Sequence, residues 1–280
     1  MFKTFLVCTD GSSYGDVACE YAIHLVDVFE GRLTALHVLD SRMLEGPWFA
    51  DIAGGLGVSP YLSLGPQFEQ LMQQKGEAVM AGLKARLAET GREGECRLER
   101  GHPARVILEQ EVRAEMVVLG QRGEHQEFGG DMIGSTVERV IRRSLKPCLV
   151  TPSRFQPVSS VLVAYDGSDM ASKALQVAAD FCAVAKSELM VLTVAEGMEE
   201  AATREVLGTG MDLLAAHECE AQGLVGEGLA EEAIIGMARE RDCDLIVMGA
   251  YGHTRIRELI LGSTTSQVIS MCSLPVLLVR

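Results

Sequence analysis

The chain has 280 residues and a formal net charge of −14, with 48% hydrophobic and 23% charged residues. This is the composition of folded protein, long enough for two domains and far from the profile of disorder. Its acidic balance argues against nucleic acid and anionic lipid as partners, no stretch approaches the roughly 20 apolar residues that span a bilayer, and Met1 to Gly11 lacks a signal-peptide layout, so the expectation is a cytoplasmic protein.

In chain order, an apolar run Phe5-Leu-Val-Cys-Thr closes on Asp10-Gly-Ser, Tyr14 to Phe29 has helical spacing, and Leu33 to Val38 reads as a second strand. A long segment, Arg42 to Pro66, follows; it holds Trp48, Phe49 and Tyr61 among glycines and prolines and leads into a helix-like run from Gln67 to Glu89. A loop of that length either covers the domain or lines a site. Met116 to Gly120 is the next apolar run, then comes a glycine-punctuated loop, Gly134-Ser135-Thr136, a helix-like stretch from Val137 to Ser144, and Pro147 to Thr151. Proline suits the first residue of a strand because it has no N–H for the ladder.

The same phrases then recur. Val161-Leu-Val-Ala-Tyr-Asp166-Gly-Ser repeats the first run, Met170 to Ala185 the helix, Leu189 to Val194 the second strand, Leu245 to Gly249 the fourth, Gly262-Ser263-Thr264 the helix opening, and Pro275 to Val279 the last strand. Glu196 to Met211 reads as a solvated loop and the start of a helix. Two copies of one unit are therefore expected, spanning 1–152 and 158–280, with the polar, proline-containing Pro152 to Ser159 as linker. Near-continuous apolar runs alternating with amphipathic stretches indicate α/β domains, each with five parallel strands covered on both faces. From Val38 to Gly120 is 82 residues but from Val194 to Gly249 only 55, so the first copy carries the insertion at 42–66.

In an open parallel sheet, ligands bind beyond the carboxyl ends of strands where the strand order reverses. Asp166 and Gly249 end the first and fourth strands of the second copy, so both can face such a crevice. Glycines let backbone N–H groups approach a phosphate, and a helix N-terminus adds unpaired donors with a favourable dipole. Ser263 and Thr264 add hydroxyls, while His253, Arg255 and Arg257 give the loop a positive sign. Asp10 and Asp166 can alternatively cap the following helix or make an Asx-turn with Gly11 or Gly167. For His24 and His37, a hydrogen-bonded structural role outranks metal or base chemistry. The eight cysteines contain no Cys-x-x-Cys pair, so no metal site is expected; Cys8 and Cys148 lie in apolar runs as buried, reduced residues.

The pattern Gly249, Gly252, nine residues, Gly262-Ser263 resembles the nucleotide-binding branch of the universal stress protein family, and the likeness covers nearly all of both halves outside the insertion. The resemblance implies two tandem Rossmann-like domains of the adenine nucleotide α-hydrolase-like type, each with a five-stranded sheet ordered 3-2-1-4-5. It implies ATP, with Mg²⁺ left open. Adenine and ribose would sit near Asp166 and the backbone of Val194, with phosphates cradled by Met248, Gly249 and Gly252 and by Gly262, Ser263 and Thr264. The equivalent positions of the first copy, Asp10, Val38, Leu119, Gly120, Gly123, Gly134, Ser135 and Thr136, form a second site of lower rank. There ten residues separate Gly123 from Gly134, and Glu124, Glu127 and Asp131 would repel a triphosphate. A degenerate structural copy, a metal-assisted nucleotide site through Glu127 and Asp131, and ordinary ATP binding all stay open for it.

The second loop has no Walker-type lysine and no carboxylate before Glu258, so a nucleotide-sensing stress-response module is favoured over a slow ATPase or autophosphorylating enzyme, and no catalytic residue is assigned. An interaction scaffold that binds no nucleotide is the third reading. In the family, domains pair through their last strands, which implies an intramolecular pseudo-dimer; homodimerisation and the identity of a protein partner are not readable from the sequence.

Overall fold

The computed structural model describes residues 2–42, 65–92, 94–124, 133–197, 199–251 and 261–280. The first copy runs β1 (Thr4–Cys8), α1 (Ser13–Phe29), β2 (Arg32–Asp40), α2 (Gly65–Glu89), β3 (Gly94–Gly101), α3 (Pro103–Gln110), β4 (Met116–Gly120), α4 (Ser135–Ile141) and β5 (Cys148–Thr151). The second runs β6 (Ser160–Ala164), α5 (Asp169–Ala185), β7 (Glu188–Ala195), α6 (Glu200–Ala216), β8 (Gln222–Glu227), α7 (Ala230–Glu240), β9 (Leu245–Gly249), α8 (Ser263–Met271) and β10 (Val276–Val279).

The strands form one ten-stranded sheet ordered β3-β2-β1-β4-β5-β10-β9-β6-β7-β8. Each half is parallel and ordered 3-2-1-4-5, and the halves join where β5 and β10 pair antiparallel, Val150 opposite Val276 and Cys148 opposite Leu278. Strand side chains alternate between two buried layers. Phe5, Val7, Val161 and Val163 pack with Tyr21, Phe29, Leu83, Leu175 and Leu214, whereas Leu6 and Leu162 pack with Val106, Val140, Ile234 and Val268. Burial on both faces is why the strands read as unbroken apolar runs.

The local signals repeat as the sequence does. Ser12 and Ser168 cap α1 and α5, accepting from the Gly15 and Ala171 N–H groups at 3.2 and 3.1 Å. Glu30 and Lys186 end those helices in the left-handed region, at φ 48° and 54°. Helix α4 is shorter than its apolar spacing suggests and stops before Ser144, whose hydroxyl donates to Glu111 at 2.5 Å while the Leu145 N–H donates to the same carboxylate at 3.1 Å. The linker is held by buried Asp244, which accepts from the Ser159 N–H at 2.9 Å, the Ser159 hydroxyl at 2.6 Å and the Ser160 N–H at 3.2 Å. Phe29 and Phe181 meet across the halves with ring centres 5.2 Å apart. Most of the insertion, including Trp48, Phe49 and Tyr61, lies outside the described residues.

Candidate functional site

In the second copy, β6 is flanked by β7 on one side and β9 on the other. The connections from those neighbours run in opposite directions, so the crevice above β6 is the point where the strand order reverses. Register puts the relevant residues on one rim: Val163 lies opposite both Val191 and Val247, and the Tyr165 N–H extends the ladder to the Leu192 carbonyl at 2.9 Å. Asp166 therefore emerges at the carboxyl end of β6, exposed, between half-buried Val194 at the end of β7 and Gly249 at the end of β9.

The two glycine-bearing segments meet at that rim. The Thr265 hydroxyl donates to the Gly249 carbonyl at 3.3 Å, and the Gly262 N–H points to the Ala250 carbonyl at 3.5 Å. Gly262 is the N-cap of α8 and supplies no side-chain cap, so the first N–H groups of the helix keep their donor capacity. Ser263 is exposed and Thr264 half-buried beside them. Met248 is buried with its side chain in the core, which leaves its backbone as what it can offer a ligand. Gly249 has a packing reason as well: a Cβ there would lie 3.0 Å from that of Met170 on α5. Gly252, His253, Arg255 and Arg257 lie outside the described residues, as do Glu127 and Asp131 of the first copy.

Asp166 makes an Asx-turn in which Oδ1 accepts from the Ser168 N–H at 2.9 Å. Asp10 makes the same turn with the Ser12 N–H at 3.0 Å, but its second oxygen accepts from the Glu124 N–H at 2.7 Å. The Glu124 carboxylate in turn receives the Lys75 ammonium from α2. The loop after β4 thus folds down onto Asp10, so closely that a Cβ on Gly123 would sit 2.6 Å from Asp10 Oδ2. Helix α2 presses on the same turn: a Cβ on Gly11 would lie 2.7 Å from a Val79 methyl. Gly120 is likewise packed, with the Tyr14 carbonyl 2.7 Å from where its Cβ would stand. Leu119 is buried and Val38 half-buried, while Gly134, Ser135 and Thr136 open a helix of seven residues. Asp10 at the rim of the first copy is therefore held by residues of its own chain, through the Ser12 and Glu124 N–H groups.

His37 lies in β2 under α2 and is buried; its ring Nδ1 is 2.9 Å from the Thr9 carbonyl and so carries the proton, and burial pushes its pKa down. His24 meets the edge of Phe155 at 5.5 Å, with its pKa also lowered by burial. Among the described residues no group of three or more His, Cys, Asp or Glu is placed to hold a metal, and all eight cysteines are free. The Lys75–Glu124–Asp10 contact was invisible in the sequence because its members come from three separated segments. So were the cross-copy contacts of Gln121 and Tyr251 described below.

A parallel 3-2-1-4-5 unit built twice into one sheet, with a glycine turn after each fourth strand, defines a tandem Rossmann-like protein. The family model described as the universal stress protein family matches residues 1–152 and 158–280, and the chain belongs to that family. It is 35% identical over 291 residues to the universal stress protein Slr1230 of Synechocystis, an alignment covering 99% of this chain and all of that one. The universal stress protein YxiE of Bacillus subtilis is 30% identical over 148 residues, 44% of this chain and 99% of its own. Among solved structures, a universal stress protein from Archaeoglobus fulgidus shares the fold over 99% of this chain and 96% of its own, with a TM-score of 0.75 and 23% identity.

Proposed function

We propose that this universal stress protein binds an adenine nucleotide, ATP by preference, in its second copy and acts as a nucleotide-dependent regulatory module rather than as a catalyst. The observation that carries the reading is the meeting of Gly249 with the Gly262–Thr264 turn at the point where the strand order reverses, beside an exposed Asp166. Oriented N–H groups at an uncapped helix start suit a phosphate. Asp166, exposed at the rim, carries the carboxylate that suits a ribose hydroxyl, and the backbone of Val194 and Met248 suits the adenine edge. The positively charged residues of the intervening segment fit the same ligand. In the first copy, Asp10 is taken up by Ser12 and Glu124, which supports its reading as a degenerate structural copy. The β5–β10 pairing is consistent with a pseudo-dimer folded into one chain.

The test is nucleotide released from denatured, freshly purified protein and identified by mass, together with binding of ATP and Mg²⁺ to the full chain. About one adenine nucleotide per chain is expected, lost in Gly262→Asp. Asp is a better N-cap than Gly, and the Gly262 backbone, φ −56° and ψ 143°, suits it. This variant keeps its helix while placing a negative charge where the phosphate would lie, so affinity is expected to fall by more than about tenfold. Failure of the wild-type chain to retain or bind nucleotide would sink the proposal and favour a scaffold.

A further inference from the structure

Just after the fourth strand of each copy, one side chain reaches across the β5–β10 seam to the other copy's Gly-Ser-Thr helix. From the first copy, the Gln121 side-chain amide donates to the Ile269 carbonyl and, at 3.3 Å, to the Ser270 carbonyl near the end of α8. From the second copy, the Tyr251 hydroxyl donates to the Arg142 carbonyl at the end of α4, at 2.9 Å. Ser270 and Arg142 are equivalent positions, each eight residues beyond the glycine that opens its helix. Arg280 braces the second contact, its guanidinium 5.4 Å from the centre of the Tyr251 ring and 3.5 Å from the Arg142 and Ser144 carbonyls.

The accepting carbonyls lie in the last turns of their helices, where the helix supplies no donor of its own. Gln121 is buried, so water competes little for its bonds and they hold the two halves in register. We infer that the first copy is a working part of the second copy's phosphate site. Gln121 fixes the far end of the helix whose near end receives the phosphate, and the Arg142 carbonyl fixes the start of the glycine loop through Tyr251. Gln121 and Tyr251 are positioning residues that act through α8 and through the loop backbone. Gln121 also heads the segment whose Glu124 bonds Asp10 and Lys75, so a nucleotide held at α8 is felt at α2 on the far side of the seam. The inference rests on the nucleotide reading above.

Hydrogen exchange read by mass spectrometry on the full chain, with and without ATP and Mg²⁺, tests it together with calorimetric Kd values. The forms compared are wild type, Gln121→Met, which keeps the side chain's length and removes the donor, and Tyr251→Phe, which removes only the hydroxyl. In wild type, nucleotide should slow exchange at Gln121–Glu124 and Ser135–Ile141 as well as at α8. Each variant should weaken binding by about fivefold or more, the lower end of ordinary coupling between sites, and confine the slowing to the second copy. ATP binding whose footprint in wild type stops at the second copy, or variants that bind as wild type does, would overturn the inference and leave the nucleotide site standing. If wild type neither binds ATP nor changes its exchange anywhere, the nucleotide reading fails and the inference with it.

Discussion

Two aspartates, Asp10 and Asp166, show how one residue type in one local motif comes to serve different ends. Both close an Asx-turn on the serine two positions on; Asp-Gly-Ser left that turn open beside a helix cap, and the caps are made by Ser12 and Ser168 instead. The second oxygen of Asp10 receives the Glu124 N–H, and no local pattern foretells a bond across 114 positions. Asp10→Ala is therefore expected to lower stability, by leaving two backbone donors without their acceptor, at about 1–3 kcal/mol each when buried and less where water reaches them. It should leave nucleotide binding in place. Asp166→Ala, at the rim of the second copy, should weaken nucleotide binding. Parallel thermal melts and calorimetry on the two variants check this, and equal loss of binding in both would mean that the first copy also holds ligand. Asp244 is the third aspartate of interest. It accepts from Ser159 and Ser160 and ties down the linker, so Asp244→Ala should destabilise by about 2–3 kcal/mol in urea titrations, whereas a variant indistinguishable from wild type would show that the linker does not depend on it.

At the scale of elements, the repeat fixed more than composition did. Strand and helix positions could be read because buried parallel strands are nearly all apolar and because the second copy restates the first. The sheet order and the last-strand pairing came from resemblance, since neither apolar periodicity nor spacing encodes which strands are neighbours. Boundaries were less legible where side chains decide them. Ser144 was expected to lie within a helix, but its hydroxyl bonds Glu111 and the helix ends earlier, at Ile141. The repeated ends of α1 and α5 carry a usable consequence. Lys186 sits at φ 54°, a conformation that costs an L-residue about 1 kcal/mol and that glycine adopts freely. Lys186→Gly should consequently hold or raise the denaturation midpoint, while Ser168→Ala at the other end of α5 should lower stability by about 1 kcal/mol through loss of the cap. A fall in both variants would mean that the lysine contributes more through its side chain than it loses through its backbone.

Over the whole molecule, the continuous sheet buries ionisable groups that must stay neutral for the fold to persist. Burial pushes Cys19, Cys148 and Cys182 from an ordinary 9.0 up to about 12, and Tyr21, which packs against Phe155 at the junction of the halves, from 10.0 up to about 12. Cys8 is raised as well, by burial first and then by neighbouring thiols. The sign follows from counting protons. Above pH 9 the unfolded chain releases thiol protons that the folded chain retains, so the unfolded state is the one favoured as pH rises. The stability these groups contribute is intact below pH 9 and is lost progressively as pH climbs toward 12. Each such thiol loses about 1 kcal/mol between pH 9 and 10, so the three together lower unfolding free energy by about 3 kcal/mol over that interval. Urea titrations at pH 7, 8, 9 and 10 should show a flat midpoint followed by a steep decline. Cys182→Ala should make the decline shallower, because alanine carries no proton to lose. A thiol reagent at pH 8 should label the native chain slowly and the denatured chain at once, since the reactive thiolate is scarce while the core is closed. A midpoint unchanged to pH 10, or rapid native labelling of Cys19 or Cys148, would mean that the sheet opens far more readily than its packing implies.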